Sequence, residues 1–228
     1  MRMVERREQA TTSQPTPVEF SSVYTRLSTK SIVSIHLSSA MSGTCQSARI
    51  AKEMVPGADI EVIDSKMVSM GLGLVVLEAA RAAGEGKTKQ EILKIINDFQ
   101  NRIQVFFFVD SLDYLVRGGR IGMAGAFLGS ILNIKPLLFL KDGLVQPYEK
   151  VRGKAKAIER LAQIVEERAA GQRIQCALVH GMDPAGMEQF RLKIRARLRC
   201  DEPIISKLGA VVGTHTGPGV VGVIFVPE

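Results

Sequence analysis

Cysteine is scarce in this sequence, and its three residues, Cys45, Cys176 and Cys200, are odd in number and far apart. A disulfide framework needs paired cysteines, and a structural zinc site needs cysteine and histidine at short, regular spacings. Neither pattern is present, and there is no H-E-x-x-H sequence. The sequence therefore predicts reduced, mostly buried thiols in a reducing compartment, with no metal site.

Long apolar runs are also lacking, since no stretch approaches the roughly 18 residues that a membrane-spanning helix requires. Residues 1–14 are charged and polar without an apolar core, so they do not resemble a secretory signal peptide. The 228 residues, of which 46% are hydrophobic and 23% charged, are enough to bury a substantial core. We therefore predict a cytoplasmic globular protein of one large or two small domains.

Signatures of nucleotide binding and hydrolysis are missing as well. There is no G-x-x-x-x-G-K-[ST] loop for ATP phosphates, and Gly118-Gly119-Arg120 does not form a G-x-G-x-x-G dinucleotide motif. Ser42, His215 and Asp64 have the residue types of a hydrolase triad, but no G-x-S-x-G sequence presents the serine. A hydrolase or other enzyme acting on a small carboxylate or ester through Ser42 and His215 is therefore only the alternative hypothesis.

The net charge of +7 raises the question of nucleic-acid binding. Much of the excess lies in residues 190–199, where Phe190, Ile194 and Leu198 recur at helical spacing. This pattern predicts an amphipathic helix whose basic residues face solvent or form a docking surface for an acidic protein. Because no helix-turn-helix, zinc-finger or RNA-recognition sequence accompanies the helix, we predict no nucleic-acid partner.

Apolar periodicity divides the chain into two parts. In the first part, predicted strands at 31–37 and 59–63 alternate with predicted helices at 17–27, 45–54, 72–83 and 89–99, as in parallel βαβ units. The second part mixes a hairpin turn at Lys141-Asp142-Gly143 with helices at 154–169 and 184–198 and strands at 105–109, 174–179, 204–212 and 220–226. We therefore predict two α/β domains, 1–102 with a parallel sheet and 103–228 with a mixed sheet.

Two helix starts carry the clearest local signals. Thr16-Pro17-Val18-Glu19 and Thr88-Lys89-Gln90-Glu91 each place a threonine N-cap three residues before a glutamate, which is the capping-box pattern. Proline at the first helical position strengthens the first of them. In that helix Phe20, Val23 and Leu27 are predicted to form the buried face.

Small polar residues gather in three segments that could bind an anion, namely 11–15, 38–44 and 213–219. His215 lies in Gly213-Thr214-His215-Thr216-Gly217-Pro218-Gly219, predicted to be a loop in which the histidine can hydrogen-bond a carboxylate or phosphate or move a proton. Residues 38–44 precede a helix, where free N–H groups and the helix dipole favour an anion. Hydroxyls of Thr12 and Ser42 can add donors. An incidental histidine in a turn and ordinary helix capping remain the alternatives.

These segments form part of a longer set of motifs in a fixed order. The set is Thr12-Ser13-Gln14-Pro15, Ser42-Gly43-Thr44 with Gln46-Ser47-Ala48, Asp64-Ser65, Ser111-Leu112-Asp113-Tyr114-Leu115, Gly118-Gly119-Arg120-Ile121, Asn133-Ile134-Lys135-Pro136, Arg152-Gly153-Lys154-Ala155 and His215-Thr216-Gly217-Pro218-Gly219. Together these motifs, which cover nearly all of the chain, resemble the DegV family, the fatty-acid-binding subunits of bacterial fatty acid kinase.

The resemblance implies two α/β domains with a lipid slot between them. It implies that a fatty acid carboxylate is bound by Thr12, Ser42 and His215, with Gly43, Thr44 and Thr216 of the same motifs contributing to the site. Arg120 and Arg152 match family positions that suit a partner or phosphate contact, with a structural ion pair as the alternative. For the acyl chain, residues 127–132 and 137–140 are the apolar segments expected to line the slot.

The resemblance also implies that fatty acid binding and phosphorylation belong to separate subunits. The binding subunit has no catalytic residue and no cofactor of its own, while a separate kinase subunit holds ATP and Mg²⁺ and phosphorylates the carboxylate. The lack of a phosphate loop in this chain agrees with that expectation. The partners implied are therefore a long-chain fatty acid and the catalytic subunit of the kinase.

One departure from the family pattern concerns the N-terminus. The resemblance implies an opening strand ending in Thr-Asp-Ser, with further elements before the Thr-Ser-Gln-Pro motif. Only ten residues, Met1 to Ala10, come before Thr11 here. We therefore expect the first domain to be truncated, without the opening strand and without one wall of the slot.

Overall fold

The computed structural model describes residues 10–27, 30–129 and 133–228. In its first part a two-stranded parallel sheet pairs Ile32 with Ile60 and His36 with Asp64. The elements of this part are α1 (Pro17–Leu27), β1 (Ile32–His36), α2 (Thr44–Glu53), β2 (Ile60–Asp64), α3 (Met70–Gly84) and α4 (Lys89–Arg102). Parallel strands joined through helices confirm the α/β class for this part of the chain.

The second part is built on a mixed sheet of six strands in the order β5-β4-β3-β8-β6-β7. Only β6 and β7 pair in parallel, and the other neighbours are antiparallel. Its elements are β3 (Gln104–Phe108), α5 (Asp113–Arg117), a 3₁₀ helix (Gly122–Phe127), β4 (Ile134–Lys141), β5 (Leu144–Arg152), α6 (Lys154–Ala169), β6 (Ile174–His180), α7 (Pro184–Arg197), β7 (Ile204–Lys207), α8 (Ala210–Thr216) and β8 (Val221–Pro227). The predicted mixed sheet is therefore confirmed.

The two faces of this sheet bury two different cores because side chains alternate along each strand. On one face Phe108 and Phe225 pack with Leu161 of α6 and Phe190 of α7. On the other face the sheet side chains join a core that contains Leu74 of α3 and Phe99 of α4. Helices of the first part therefore cover the second face of the large sheet.

The buried face of α1 differs in part from the predicted one, since Phe20 packs against the core of the first part as predicted but Val23 and Leu27 do not. Tyr24 is 2% exposed, whereas Val23 and Leu27 are 39% and 43% exposed. The reason is that α1 packs on α2 and β1 through Tyr24, whose hydroxyl lies 2.7 Å from Ser34 Oγ. The capping box is formed as predicted, with Thr16 N donating to Glu19 Oε2 at 2.7 Å.

The strand predicted at 204–212 is wrong beyond residue 207. β7 ends at Lys207, and residues 210–216 form the short helix α8. A short apolar run does not by itself distinguish a strand from a helix, and Val211 and Val212 belong to such a run. His215 consequently lies in the last turn of a helix and not in the predicted glycine-rich loop.

The basic segment forms α7, with Phe190 and Ile194 buried as predicted. Many of its cations have acidic partners within the protein: both Lys193 and Arg197 contact Glu159 of α6. These ion pairs join two neighbouring helices on the outer face of the sheet. At least this part of the basic face therefore has a structural use that sequence alone did not predict.

A buried histidine connects α1 to the first sheet. His36 is 8% exposed, its Nε2 lies 2.7 Å from Ser34 Oγ, and the ring of Phe20 meets it edge-on at 5.1 Å between centroids. Burial lowers the pKa of His36 below its usual value, the positive charge of Arg49 adds to the effect, and Asp64 opposes it. The folded protein therefore keeps this imidazole neutral.

Acidification is expected to destabilise the protein partly through His36. Its folded pKa is lowered, so below the ordinary value of about 6.5 the unfolded chain binds a proton that the folded state resists. The contribution of His36 to the free energy of unfolding is fully present above that pH and is lost as the pH falls. Chemical denaturation at pH 7.5 and 5.5 should show a smaller loss of unfolding free energy for His36→Asn than for the unchanged protein; equal losses would contradict the expectation.

Candidate functional site

A cavity of about 450 Å³ lies between the first part of the chain and the covered face of the large sheet. This volume is typical of small-molecule sites. Most of its wall is apolar and comes from β3, β5, β6 and β8 together with residues between β7 and β8. The apolar lining residues are Leu37, Met41, Val68, Val105, Phe106, Phe107, Leu115, Leu140, Val145, Val179, Leu208, Val211, Val212, Val220 and Ile224.

The floor of the cavity has a gap at Gly222, in the central strand β8. Gly222 pairs with Phe107 on one side and Val179 on the other. A Cβ at this position would lie 2.9 Å from Phe107 Cβ and 3.1 Å from Val179 Cγ2. Glycine within a strand commonly marks a place where another group approaches closely. The missing side chain leaves a groove across the middle of the sheet.

Small hydroxyl groups form a polar region in the same wall, and most of the predicted site residues meet there. Thr12, Ser42, Thr44, His215 and Thr216 all line the cavity. Ser42 Oγ lies 2.8 Å from Thr44 Oγ1, and Thr12 Oγ1 lies 2.9 Å from His215 Nε2. The structure therefore assembles side chains that are up to 204 residues apart in sequence.

His215 is half-buried at the end of α8 and is held from one side only. Its Nε2 contacts Thr12, while its Nδ1 is buried with no hydrogen-bond partner among the described residues. Burial lowers the pKa of His215, and the nearby charge of Arg120 lowers it further. Both effects favour an uncharged imidazole at neutral pH.

Arg120 supplies the fixed positive charge of the site. Its Nε donates to the carbonyl oxygen of Met41 at 3.0 Å, and its Nη1 donates to that of Gly118 at 2.6 Å. These two bonds hold the guanidinium in the cavity wall and connect the two parts of the chain. An arginine placed this way attracts an anion and disfavours a second cation.

A second connection holds the site loop against the large sheet. Ser38 is fully buried, and its hydroxyl donates to the carbonyl oxygen of Gly143 at 2.7 Å. Gly143 lies in the predicted hairpin turn, where Asp142 and Gly143 have φ values of +51° and +78°. Such angles are typical of a tight two-residue hairpin. The turn thus fixes the position of residues 38–44 beside the cavity.

Two predicted site residues lie outside the cavity wall. Gly43 precedes α2, and a Cβ on it would lie 2.8 Å from Gln14 Nε2, so it provides space for the 12–15 segment. Arg152 is exposed at the end of β5, and no ion pair joins it to a residue that the structure describes. The structure therefore groups Arg120 with the hydroxyls and leaves Arg152 at the surface.

Of the described residues in the apolar segments predicted to line the slot, Leu140 is found in its wall and the others are not. Leu140 lines it, but Leu137 points to the opposite face because side chains alternate along β4. Phe127 and Leu128 are not in the wall, and Leu128 is 55% exposed. Residues 130–132 lie outside the described part of the chain. The floor comes instead from β3, β6 and β8.

Leu208, Val211 and Val212 line the cavity from the segment between β7 and β8, although the sequence pattern does not indicate it. They had been assigned to a strand, and a strand would have sent neighbouring residues to opposite faces. Once the α8 helix is known, its position beside the cavity explains the lining. No motif in this segment gives that information before the fold is known.

The arrangement of side chains does not form a hydrolase triad. In the described part of the chain no hydrogen bond joins Ser42 to His215, and the Ser42 hydroxyl contacts Thr44 instead. Asp64 accepts from the backbone N–H of Ser39 and, at 2.8 Å, from that of Lys66. It therefore caps a turn and does not orient His215.

The described residues 10–27, 30–129 and 133–228 provide neither a metal site nor a membrane span. No group of three or more His, Cys, Asp or Glu side chains could hold a metal ion there. Over the same ranges, no helix combines the length and apolar character needed to cross a membrane.

The two sheets and the cavity between them define the class: a two-sheet α/β protein with one mostly apolar cavity, whose wall also carries hydroxyls, an imidazole and a fixed guanidinium. The family model of DegV, described as an uncharacterised protein family, matches residues 1–228. The chain belongs to the DegV family.

Relatives agree with that assignment. The chain is 40% identical over 225 residues to a DegV domain-containing protein of Streptomyces coelicolor. The aligned region covers 97% of this chain and 80% of the relative. It is 37% identical over 224 residues to protein DegV of Bacillus subtilis, with 95% and 78% of the two chains covered.

Solved structures show the same fold. A fatty-acid-binding DegV family protein of Thermus thermophilus superimposes with a TM-score of 0.90 at 36% identity, over 96% of this chain and 79% of that one. DegV of Bacillus subtilis, a fatty acid binding protein, superimposes with a TM-score of 0.88 at 33% identity, over 100% and 82%. Fatty acid binding is thus a property of close structural relatives.

Proposed function

We propose that this protein binds a long-chain fatty acid, with the carboxylate beside Thr12, Ser42 and His215 and the acyl chain along the floor of the slot. The observation that carries the proposal is the joining of these polar residues to one continuous apolar cavity. Relatives that bind fatty acids support it. The ligand is bound, and no bond of it is broken by this chain.

The physical chemistry of a buried carboxylate supports this placement. A carboxylate removed from water must be hydrogen-bonded or paired with a cation, because its desolvation is otherwise costly. The hydroxyls of Thr12 and Ser42 can donate, and Arg120 supplies positive charge without a protonated histidine. The acyl chain gains about 0.8 kcal/mol per buried methylene against the apolar wall.

The proposal extends to a partner. This chain presents the carboxylate to a separate ATP-dependent kinase subunit, which holds ATP and Mg²⁺ and forms the acyl phosphate. Arg152, exposed near the end of β5, is available for contact with that subunit or with phosphate. Arg120, fixed by two carbonyl groups, can offset the added negative charge.

Native mass spectrometry of the purified protein, followed by extraction and identification of the bound material, tests the ligand. One equivalent of fatty acid per chain is the expected result. Protein that is empty and also refuses added oleate contradicts the proposal. Protein that binds oleate but yields no acyl phosphate with a kinase subunit and ATP contradicts only the part about the partner.

Ser42→Ala is expected to weaken oleate binding more than binding of the matching alcohol. A hydrogen bond to a charged group contributes about 1.5–3 kcal/mol, which corresponds to a loss of about 10–150-fold for oleate. Oleyl alcohol lacks the charge, so its affinity should change by only a few-fold. Ser22→Ala, at an exposed serine of α1, is the control variant. Equal losses for acid and alcohol would place the carboxylate elsewhere.

A further inference from the structure

The segment containing Gly118 and the segment containing His215 fit together through three glycines. A Cβ on Gly118 would lie 2.2 Å from His215 Nδ1, and one on Gly217 would lie 2.4 Å from Tyr114 Cδ2. A Cβ on Gly219 would lie 2.2 Å from Asp110 Oδ2. Each glycine therefore leaves space for a side chain of the opposite segment, and Gly118 leaves space for the histidine ring.

The face of the ring that meets Gly118 is the one without a hydrogen bond. His215 Nδ1 is buried and has no partner in the described residues, whereas Nε2 lies 2.9 Å from Thr12 Oγ1. A buried N–H without an acceptor is rarer and costlier than a lone pair without a donor. The environment therefore favours a lone pair on Nδ1 and the proton on Nε2.

We infer that Gly118 is a positioning residue that holds His215 as the neutral tautomer with its proton on Nε2, aimed at Thr12 and the cavity. In that form the imidazole donates a hydrogen bond without adding charge. The use of this donor by a bound carboxylate rests on the proposed function, but the tautomer itself does not. The sequence motifs alone do not show that Gly118 positions His215.

The charged groups near the ring agree with the inference. Arg120 contacts the carbonyl oxygen of Gly118 and disfavours a second positive charge on His215. Asp110, the acid that faces Gly219, is paired with Lys135 at 2.7 Å. No carboxylate hydrogen-bonds His215 in the part of the chain that the structure describes, so none accepts a proton from Nδ1.

Gly118→Ala tests the contact with the His215 ring without requiring a strained φ at residue 118. Gly118 has a φ of −77°, which alanine adopts without strain. The added Cβ would lie 2.2 Å from His215 Nδ1 and 3.1 Å from the carbonyl oxygen of Tyr114, so the collision with the His215 ring is the larger of the two. Gly213→Ala is the matched control: it adds the same methyl group to the helix that carries His215, and nothing lies within 4 Å of its Cβ.

Imidazole ¹⁵N NMR at pH 7.5 is the test, since the chain has three histidines and a His215→Gln sample assigns the signals of His215. We expect the neutral form with Nε2 protonated in the unchanged protein and in Gly213→Ala. In Gly118→Ala we expect a changed tautomer ratio and an oleate affinity about 10-fold lower. A proton on Nδ1 in the unchanged protein, or identical His215 signals in Gly118→Ala, would overturn the inference.

Two further measurements address destabilisation of Gly118→Ala and a failure to bind fatty acid. If Gly118→Ala is destabilised, adding His215→Ala should restore the melting temperature, because the group that collides is removed; no restoration would count against the contact. If the tautomer is as inferred and the protein binds no fatty acid, the proposed function fails while the positioning role of Gly118 stands.

Discussion

Replacing His215 by alanine is expected to reduce acyl phosphate formation far more than fatty acid binding. Binding loses one hydrogen bond to a carboxylate and should weaken by about 10-fold or somewhat more, while other donors remain. Phosphorylation requires the carboxylate oxygen to be held in one orientation for attack, and a small misplacement of reacting groups costs about 100-fold in rate. We therefore expect a loss of about 100-fold or more in acyl phosphate formation.

The measurement is acyl phosphate formation with a kinase subunit and ATP at saturating oleate, beside a separate binding titration. Saturation removes the binding defect from the rate. Thr214→Ala is the matched control, because Thr214 neighbours His215 but its hydroxyl donates to Ala210 within the same helix. If phosphorylation and binding fall by the same factor, His215 serves binding alone and does not orient the carboxylate.

Gly222→Val is expected to close the groove in the floor of the slot. Even a Cβ at this position would lie 2.9 Å from Phe107 Cβ, so the larger side chain must push neighbouring atoms apart or project into the cavity. Overpacking of this kind costs about 1–3 kcal/mol of stability. Displacing about four methylenes of the acyl chain at about 0.8 kcal/mol each lowers affinity by about 200-fold.

Affinities for stearate and stearyl alcohol, measured well below the melting temperature, test this expectation. Both ligands should lose about equally, since the blocked part of the slot is apolar. This distinguishes Gly222→Val from Ser42→Ala, which should affect the acid selectively. Gly84→Val, at the exposed end of α3 with no atom near its Cβ, controls for the change of residue type. Unchanged stearate affinity would show that the chain does not cross Gly222.

Much of the local structure could be predicted because its causes are local. The Thr88-Glu91 capping box begins α4 as predicted, with the side chain of each residue bonded to the backbone of the other. The Lys141-Asp142-Gly143 turn joins β4 and β5, because its residue types tolerate positive φ. Short apolar runs were less informative, so residues 210–216 were assigned to a strand and a loop although they form α8.

The candidate site, too, could be predicted only in part. The sequence by itself determined which residue types were available: hydroxyls at Thr12 and Ser42, an imidazole at His215 and a guanidinium at Arg120. Their order along the chain was enough to indicate a resemblance to the DegV family, because each motif keeps its residue types whatever the packing around it. The described structure then placed these four side chains in the wall of a single cavity.

The surroundings of those residues depend on how the chain folds. The tertiary structure separated Leu137 from Leu140, placed Gly222 in the floor and left Arg152 at the surface. Such outcomes depend on which strands become neighbours and which face each helix covers, and these are non-local contacts that no short window of sequence contains. The fit of His215 against Gly118 has the same origin, because it joins residues almost a hundred positions apart through close packing.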